Sequence, residues 1–148
     1  MKKTALFALL LLVPFLLAAQ NPEGCIVLKL WPDGAPESNG LEGPETVMQG
    51  GRIGNISDPE LLVFPASDPN GLAVIMCPGG GYGYVAAGHE GTDMAGWFND
   101  QGITFAVLKY RMPNGHSDIP LTDAQRAITL MRSHGDEWGF SRLGIMGG

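Results

Sequence analysis

The sequence predicts an α/β fold: a three-layer arrangement around a mostly parallel sheet, with two antiparallel strands leading into it. Three observations carry this. Leu72–Cys77 and Ile103–Leu108 are short apolar runs without alternation, the pattern of strands buried on both faces. Each is followed by a segment of helical character, and the second of these leads to a further apolar run, Leu143–Met146. Strand, helix, strand, helix, strand makes two successive βαβ units, which require parallel pairing and right-handed crossovers.

The elements follow in order. Met1-Lys2-Lys3 is basic, and Ala5 to Ala19 is apolar except for Pro14 and ends in small residues. Residues 1–19 therefore read as a secretory signal peptide, cleaved after Ala19, with a secreted or periplasmic destination. The run is short for a membrane span. Polar residues Asn21 to Gly24 precede Cys25, unlike the apolar stretch that lipid attachment needs. The folded domain is expected over residues 20–148. Ile26–Trp31 is the first strand, broken by Pro32-Asp33-Gly34-Ala35-Pro36. Glu37 to Ser57 holds five glycines and no sustained period, and reads as a long surface connection. Leu61–Phe64 is the second strand, stopped by Pro65, and Ser67–Gly71 is a turn by composition.

After the third strand, Leu72–Cys77, comes the glycine run discussed below. Glu90 to Gln101 then reads as an amphipathic helix with Met94, Ala95, Trp97 and Phe98, stopped by Gly102. The fourth strand, Ile103–Leu108, leads into a polar loop, Arg111 to Pro120. Thr122 is expected to cap the next helix, whose Ala124, Ala127, Ile128 and Met131 keep the i, i+3, i+4, i+7 rhythm to about Gly135. Asp123 falls in its first turn, where the helix dipole favours an acid. Leu143–Met146 is the fifth strand.

Formal charge is −6, and −8 once Lys2 and Lys3 are removed, the opposite of the basic stripe expected of a nucleic-acid binder. Cys25 and Cys77 stand at two strand ends with no spacing argument for a bridge, and Cys77 reads as a small buried hydrophobe. His89 and Asp93 lie four apart, but two ligands do not make a metal site, and helix-start capping explains them. His116 and Asp118 share a loop, and His134 sits at a helix end where a cation meets the dipole. No metal or cofactor is expected.

The chemistry gathers at Pro78-Gly79-Gly80-Gly81-Tyr82-Gly83-Tyr84. Consecutive glycines lose much conformational freedom on folding, so they make sense where bare backbone must approach something closely. A naked loop between strand and helix presents N–H groups to an anion or oxyanion. Gly81 to Ala86 also fits G-x-G-x-x-A, a dinucleotide fingerprint, but that belongs at the first strand of its unit. Its acidic partner is missing too, since Lys109-Tyr110-Arg111 stands at the relevant place. The remaining alternative is a loop that needs glycine only for its turns.

The order of motifs resembles secreted bacterial α/β-hydrolases of the acetyl xylan esterase and feruloyl esterase-like group. The similar segments are Leu30–Pro36, Cys77–Tyr82, Gly88–Gly91, Leu108–Arg111, Asp123–Ala127, Glu137–Gly139 and Gly144–Gly147. Pro78 stands where many related esterases carry histidine, which a hole built from backbone groups tolerates. The resemblance implies that Gly80 and Gly81 donate two N–H groups to an oxyanion and that Tyr82 lines the substrate pocket, unless it packs on the first helix. It implies small esters or acylated carbohydrate as substrates and no nucleic-acid or membrane partner.

It also implies that Leu143–Met146 runs into a G-x-S-x-G nucleophile elbow, with Gly147-Gly148 as its first two residues. The chain is therefore expected to be the N-terminal part of such an enzyme, ending one residue before the serine and inactive alone. Its fifth strand would then carry an unpaired apolar edge, an aggregation hazard. A serine peptidase of the same fold and a non-catalytic ligand-binding domain are the alternatives.

Overall fold

In the computed structural model, Pro22 and residues 24–148 are described; the segment read as a signal peptide, with its cleavage site, lies outside the described residues. Five strands form one sheet: β1 (Ile26–Lys29), β4 (Glu60–Phe64), β6 (Ile103–Lys109), β5 (Gly71–Cys77) and β7 (Phe140–Gly147), in that spatial order. β4 is antiparallel to both β1 and β6, whereas β5 is parallel to β6 and β7. The predicted antiparallel start and the two βαβ units are both present.

Side-chain alternation splits the core in two. Leu61, Val63, Ala73, Ile75, Ala106 and Leu108 face one cluster with Ala127 and Met131 of helix α2 (Asp118–Ser133). Leu62, Phe64, Met76, Phe105 and Val107 face the other, with Ala95 and Phe98 of helix α1 (Ala95–Asp100). Since β6 and β7 flank β5 on opposite sides, two right-handed crossovers have to run over opposite faces. The helices accordingly cover one face each, which makes three layers.

Several boundaries differ from the sequence reading. The first helix is shorter than Glu90–Gln101: a 3-10 turn at Thr92–Met94 precedes α1, because Gly88 and Gly91 interrupt regular helix before it. α2 begins at Asp118, so Thr122 is not a cap; its Oγ1 donates to the Asp118 carbonyl at 3.0 Å. Pro120 sits in its first turn, where a missing N–H costs nothing. β7 starts earlier, at Phe140, and pairs along one edge with β5; Ile145 on its face is 52% exposed.

The largest difference is in the stretch read as loop. Thr46–Met48 (β2) and Arg52–Gly54 (β3) form a small hairpin of their own. Gly50 and Gly51 both take positive φ at its tip, 78° and 68°. Such a Gly-Gly pair between β-capable residues is a hairpin signal, but a faint one where each strand has only three residues.

Candidate active site

β5 connects to β6 on one side, and β6 connects to β7 on the other. The crevice beyond the carboxyl ends of β5 and β6 is thus a topological switch point, where open α/β sheets place ligands. A cleft of about 480 Å³ lies there, walled by the glycine loop after β5, by Leu108 and Tyr110 on the β6 side, and by Pro120, Leu121 and Ala124 of α2. Gly80, Gly81 and Tyr82 stand together on the first wall.

The glycine loop is held from behind through its carbonyls. Gly79 C=O accepts Ala86 N–H at 2.9 Å, and Gly80 C=O accepts Gly83 N–H at 3.1 Å. In a trans peptide the N–H points opposite to the C=O. Tying the Gly79 carbonyl therefore turns the Gly80 N–H away from Ala86, and tying the Gly80 carbonyl turns the Gly81 N–H away from Gly83. Among the described residues neither N–H donates to any acceptor. Both donors are thus unpaired among the described residues, on a loop that lines the cleft.

The backbone here is unusual. Gly80, Gly81 and Tyr82 have φ of 143°, 59° and 61°. A Cβ on Gly80 would collide with the Tyr84 carbonyl, so glycine is required there on two counts. Tyr82 bears positive φ with a side chain, a conformation of the kind concentrated at ligand sites. Tyr82 is 59% exposed, and its ring meets Tyr110 edge to face, centroids 6.2 Å apart. The β2–β3 hairpin buttresses the loop: Ile53 and Val85 exchange backbone hydrogen bonds of 2.9 and 2.7 Å, and Gly88 N–H reaches Gly51 O at 3.0 Å.

Two groups that hold the wall, Tyr110 within it and Glu90 behind it, were not singled out by sequence. Tyr110 O–H donates to the Pro78 carbonyl at 2.7 Å, and Glu90 Oε2 accepts the Gly79 N–H at 2.7 Å. Burial first, then the neighbouring Tyr82, Cys77 and Glu90, push the Tyr110 hydroxyl up to about 12, so it stays a donor. A tyrosine directly after a buried strand was the available signal. Burial likewise pushes the Cys77 thiol up to about 11. At pH 8 this thiol is expected to react with iodoacetamide roughly 100-fold more slowly than free cysteine, because only the thiolate attacks. Mass-spectrometric timing of labelling at Cys77 checks this; labelling as fast as free cysteine would contradict it. Both cysteines are free thiols.

The other candidate residues do not line the cleft, although His116 and Asp118 flank Ser117, which does. His89 precedes the 3-10 turn that holds Asp93, so the two do not share a helix, and His89 Nε2 is 3.5 Å from Glu90 Oε1. His134 stacks on Trp138, with Nδ1 2.7 Å from Glu137 Oε2. Asp123 is not in a first turn but one turn further into α2, fully buried. It takes Arg111 Nε and Nη2, the Arg111 N–H and Trp31 Nε1, at 2.8 to 3.2 Å. Among the described residues no group of three or more His, Cys, Asp or Glu is placed to hold a metal.

No family model matches the sequence. An acetylxylan esterase of Xylanibacter ruminicola is 35% identical over 98 residues, 63% of this chain and 20% of that protein. The chain thus spans about a fifth of the length of the curated relative it matches. Among solved structures, the acetyl ester-xyloside bifunctional hydrolase of Caldicellulosiruptor lactoaceticus superposes with a TM-score of 0.61 at 28% identity, covering 88% of this chain and 44% of that one. A thermophilic esterase of Thermogutta terrifontis gives 0.57 at 18% identity, covering 85% and 40%. With strand order, glycine loop and these likenesses in agreement, the chain belongs to the α/β-hydrolase superfamily, as a partial domain similar in sequence to an acetylxylan esterase.

Proposed function

We propose that these residues form the oxyanion-binding side of an exported carboxylic-ester hydrolase acting on acetylated carbohydrate or similar small esters. The observation that carries it is the pair of N–H groups of Gly80 and Gly81, unpaired among the described residues, on the loop that lines the switch-point cleft. Attack on an ester carbonyl puts negative charge on its oxygen, and preorganised donors stabilise that charge without reorganising. One such donor typically contributes roughly 2.7–4 kcal/mol to lowering the barrier. Tyr82, exposed at the cleft rim, borders the bound ester. The similarity to an acetylxylan esterase supports acetylated sugar as the substrate class. Serine, histidine and acid would complete the mechanism from outside these 148 residues.

Export rests on the basic, then apolar, opening segment. No helix among the described residues is long and apolar enough to cross a membrane. Sequencing the gene beyond codon 148 tests the reading. An in-frame Ser-x-Gly is expected next; a stop codon there would overturn the enzyme reading in favour of a ligand-binding domain.

A further inference from the structure

The Pro78–Gly79 peptide is gripped by both of its polar ends. Its carbonyl takes the Tyr110 hydroxyl and its N–H goes to Glu90 Oε2, each at 2.7 Å. The Glu90 grip belongs to a closed circuit. Glu90 N–H donates to Ala86 O at 3.2 Å, and Ala86 N–H donates to Gly79 O at 2.9 Å. Gly79 is therefore held through its N–H and its C=O by one segment, residues 86–90. Gly79 has no side chain to limit its dihedrals, so these grips are what prevent the peptide from turning. The next peptide carries the Gly80 N–H.

We propose that Glu90 and Tyr110 are positioning residues for the oxyanion donors. They fix the Pro78–Gly79 peptide and, through it, the direction of the Gly80 and Gly81 N–H groups. The inference rests on the oxyanion reading of the loop. Glu90 also occupies the Gly79 N–H, which keeps that third donor out of the cleft. Its carboxylate lies so near Gly148 that a Cβ there would strike Oε2, which places it between the glycine loop and the end of β7.

Charge and position make opposite demands, which makes the idea testable. A carboxylate near an anion site repels the anion, so a residue acting by charge alone would bind anions better once neutralised. A positioning residue keeps its function when replaced by glutamine, whose amide oxygen still accepts the Gly79 N–H, and loses it when replaced by alanine.

The test is an acetate titration of the 15N-labelled 148-residue chain, following the amide signals of Gly79, Gly80 and Gly81. Acetate is expected to move Gly80 and Gly81 but not Gly79. Glu90→Gln is expected to hold the acetate dissociation constant within about threefold or tighten it. Glu90→Ala and Tyr110→Phe should weaken binding roughly tenfold and displace the Gly80 and Gly81 signals before acetate is added, with signals of the sheet unchanged. Equal tightening by Gln and Ala would overturn the proposal, as would alanine and phenylalanine variants whose free-state Gly80 and Gly81 signals match the parent. If acetate moves neither amide of the parent, the oxyanion reading falls, while the ligand-free signals still decide the positioning.

Discussion

Asp123→Ala is expected to destabilise the chain by about 3–5 kcal/mol, because it leaves a buried guanidinium without its counter-charge. Arg111 is 1% exposed and Asp123 is fully enclosed. The carboxylate takes two guanidinium nitrogens, the Arg111 backbone N–H and the Trp31 indole N–H. Arg111 keeps only the Glu37 carbonyl, at Nη1, once Asp123 is gone. Whole domains are typically stable by only about 5–15 kcal/mol, so the loss is a large fraction of the total. Urea unfolding followed by circular dichroism measures it, and a midpoint unchanged from the parent would refute it. Replacing Arg111 and Asp123 together by Met and Leu should cost much less than the two single losses summed, since no orphaned charge remains.

Turnover by the 148-residue chain alone is expected to fall on the order of a millionfold below that of a complete serine hydrolase. The cleft has donors, but the groups lining it that could attack an ester are poorly equipped. The Cys77 thiol stays protonated at neutral pH. The Tyr110 hydroxyl is committed to Pro78. Ser117 lines the cleft just before α2, and among the described residues no histidine is hydrogen-bonded to it. Incubation with 4-nitrophenyl acetate should show only the rate of buffer and heat-denatured chain. A saturable rate abolished by a serine-directed phosphonate would sink this expectation.

The sheet was legible because buried parallel strands are written as unbroken apolar runs. Leu72–Cys77 and Ile103–Leu108 each became a strand extended by one residue at one end. The glycine loop was legible for a related reason, since residues so costly to order mark a place where backbone must be bare. Helix starts were less visible. α2 begins four residues before Thr122, and no side chain caps it, so there was no capping pattern to read. Asp123 was misplaced with it, and its partner Arg111 lies 12 positions earlier in a loop, a pairing no local period encodes. The roles of Glu90 and Tyr110 are not legible in sequence because each rests on a hydrogen bond to backbone. Sequence shows which side chains exist, not which peptide they grip.

The contact between the β2–β3 hairpin and the loop beyond the glycines has a kinetic meaning. A Cβ on Gly51 would strike the Gly88 backbone and one on Gly88 the Gly50 carbonyl, and Ile53 pairs with Val85. These partners are separated by more than thirty positions along the chain. Closing so long a segment costs entropy before any contact rewards it, and non-local pairings of this kind form slowly. The β5–β6 pairing spans a similar separation, as in Leu72 with Ile103, and the β5–β7 pairing a longer one, as in Ala73 with Leu143. On loop-closure grounds the wall behind the two N–H groups is then expected to close with the β5–β6 pairing and before β7 is added to the sheet.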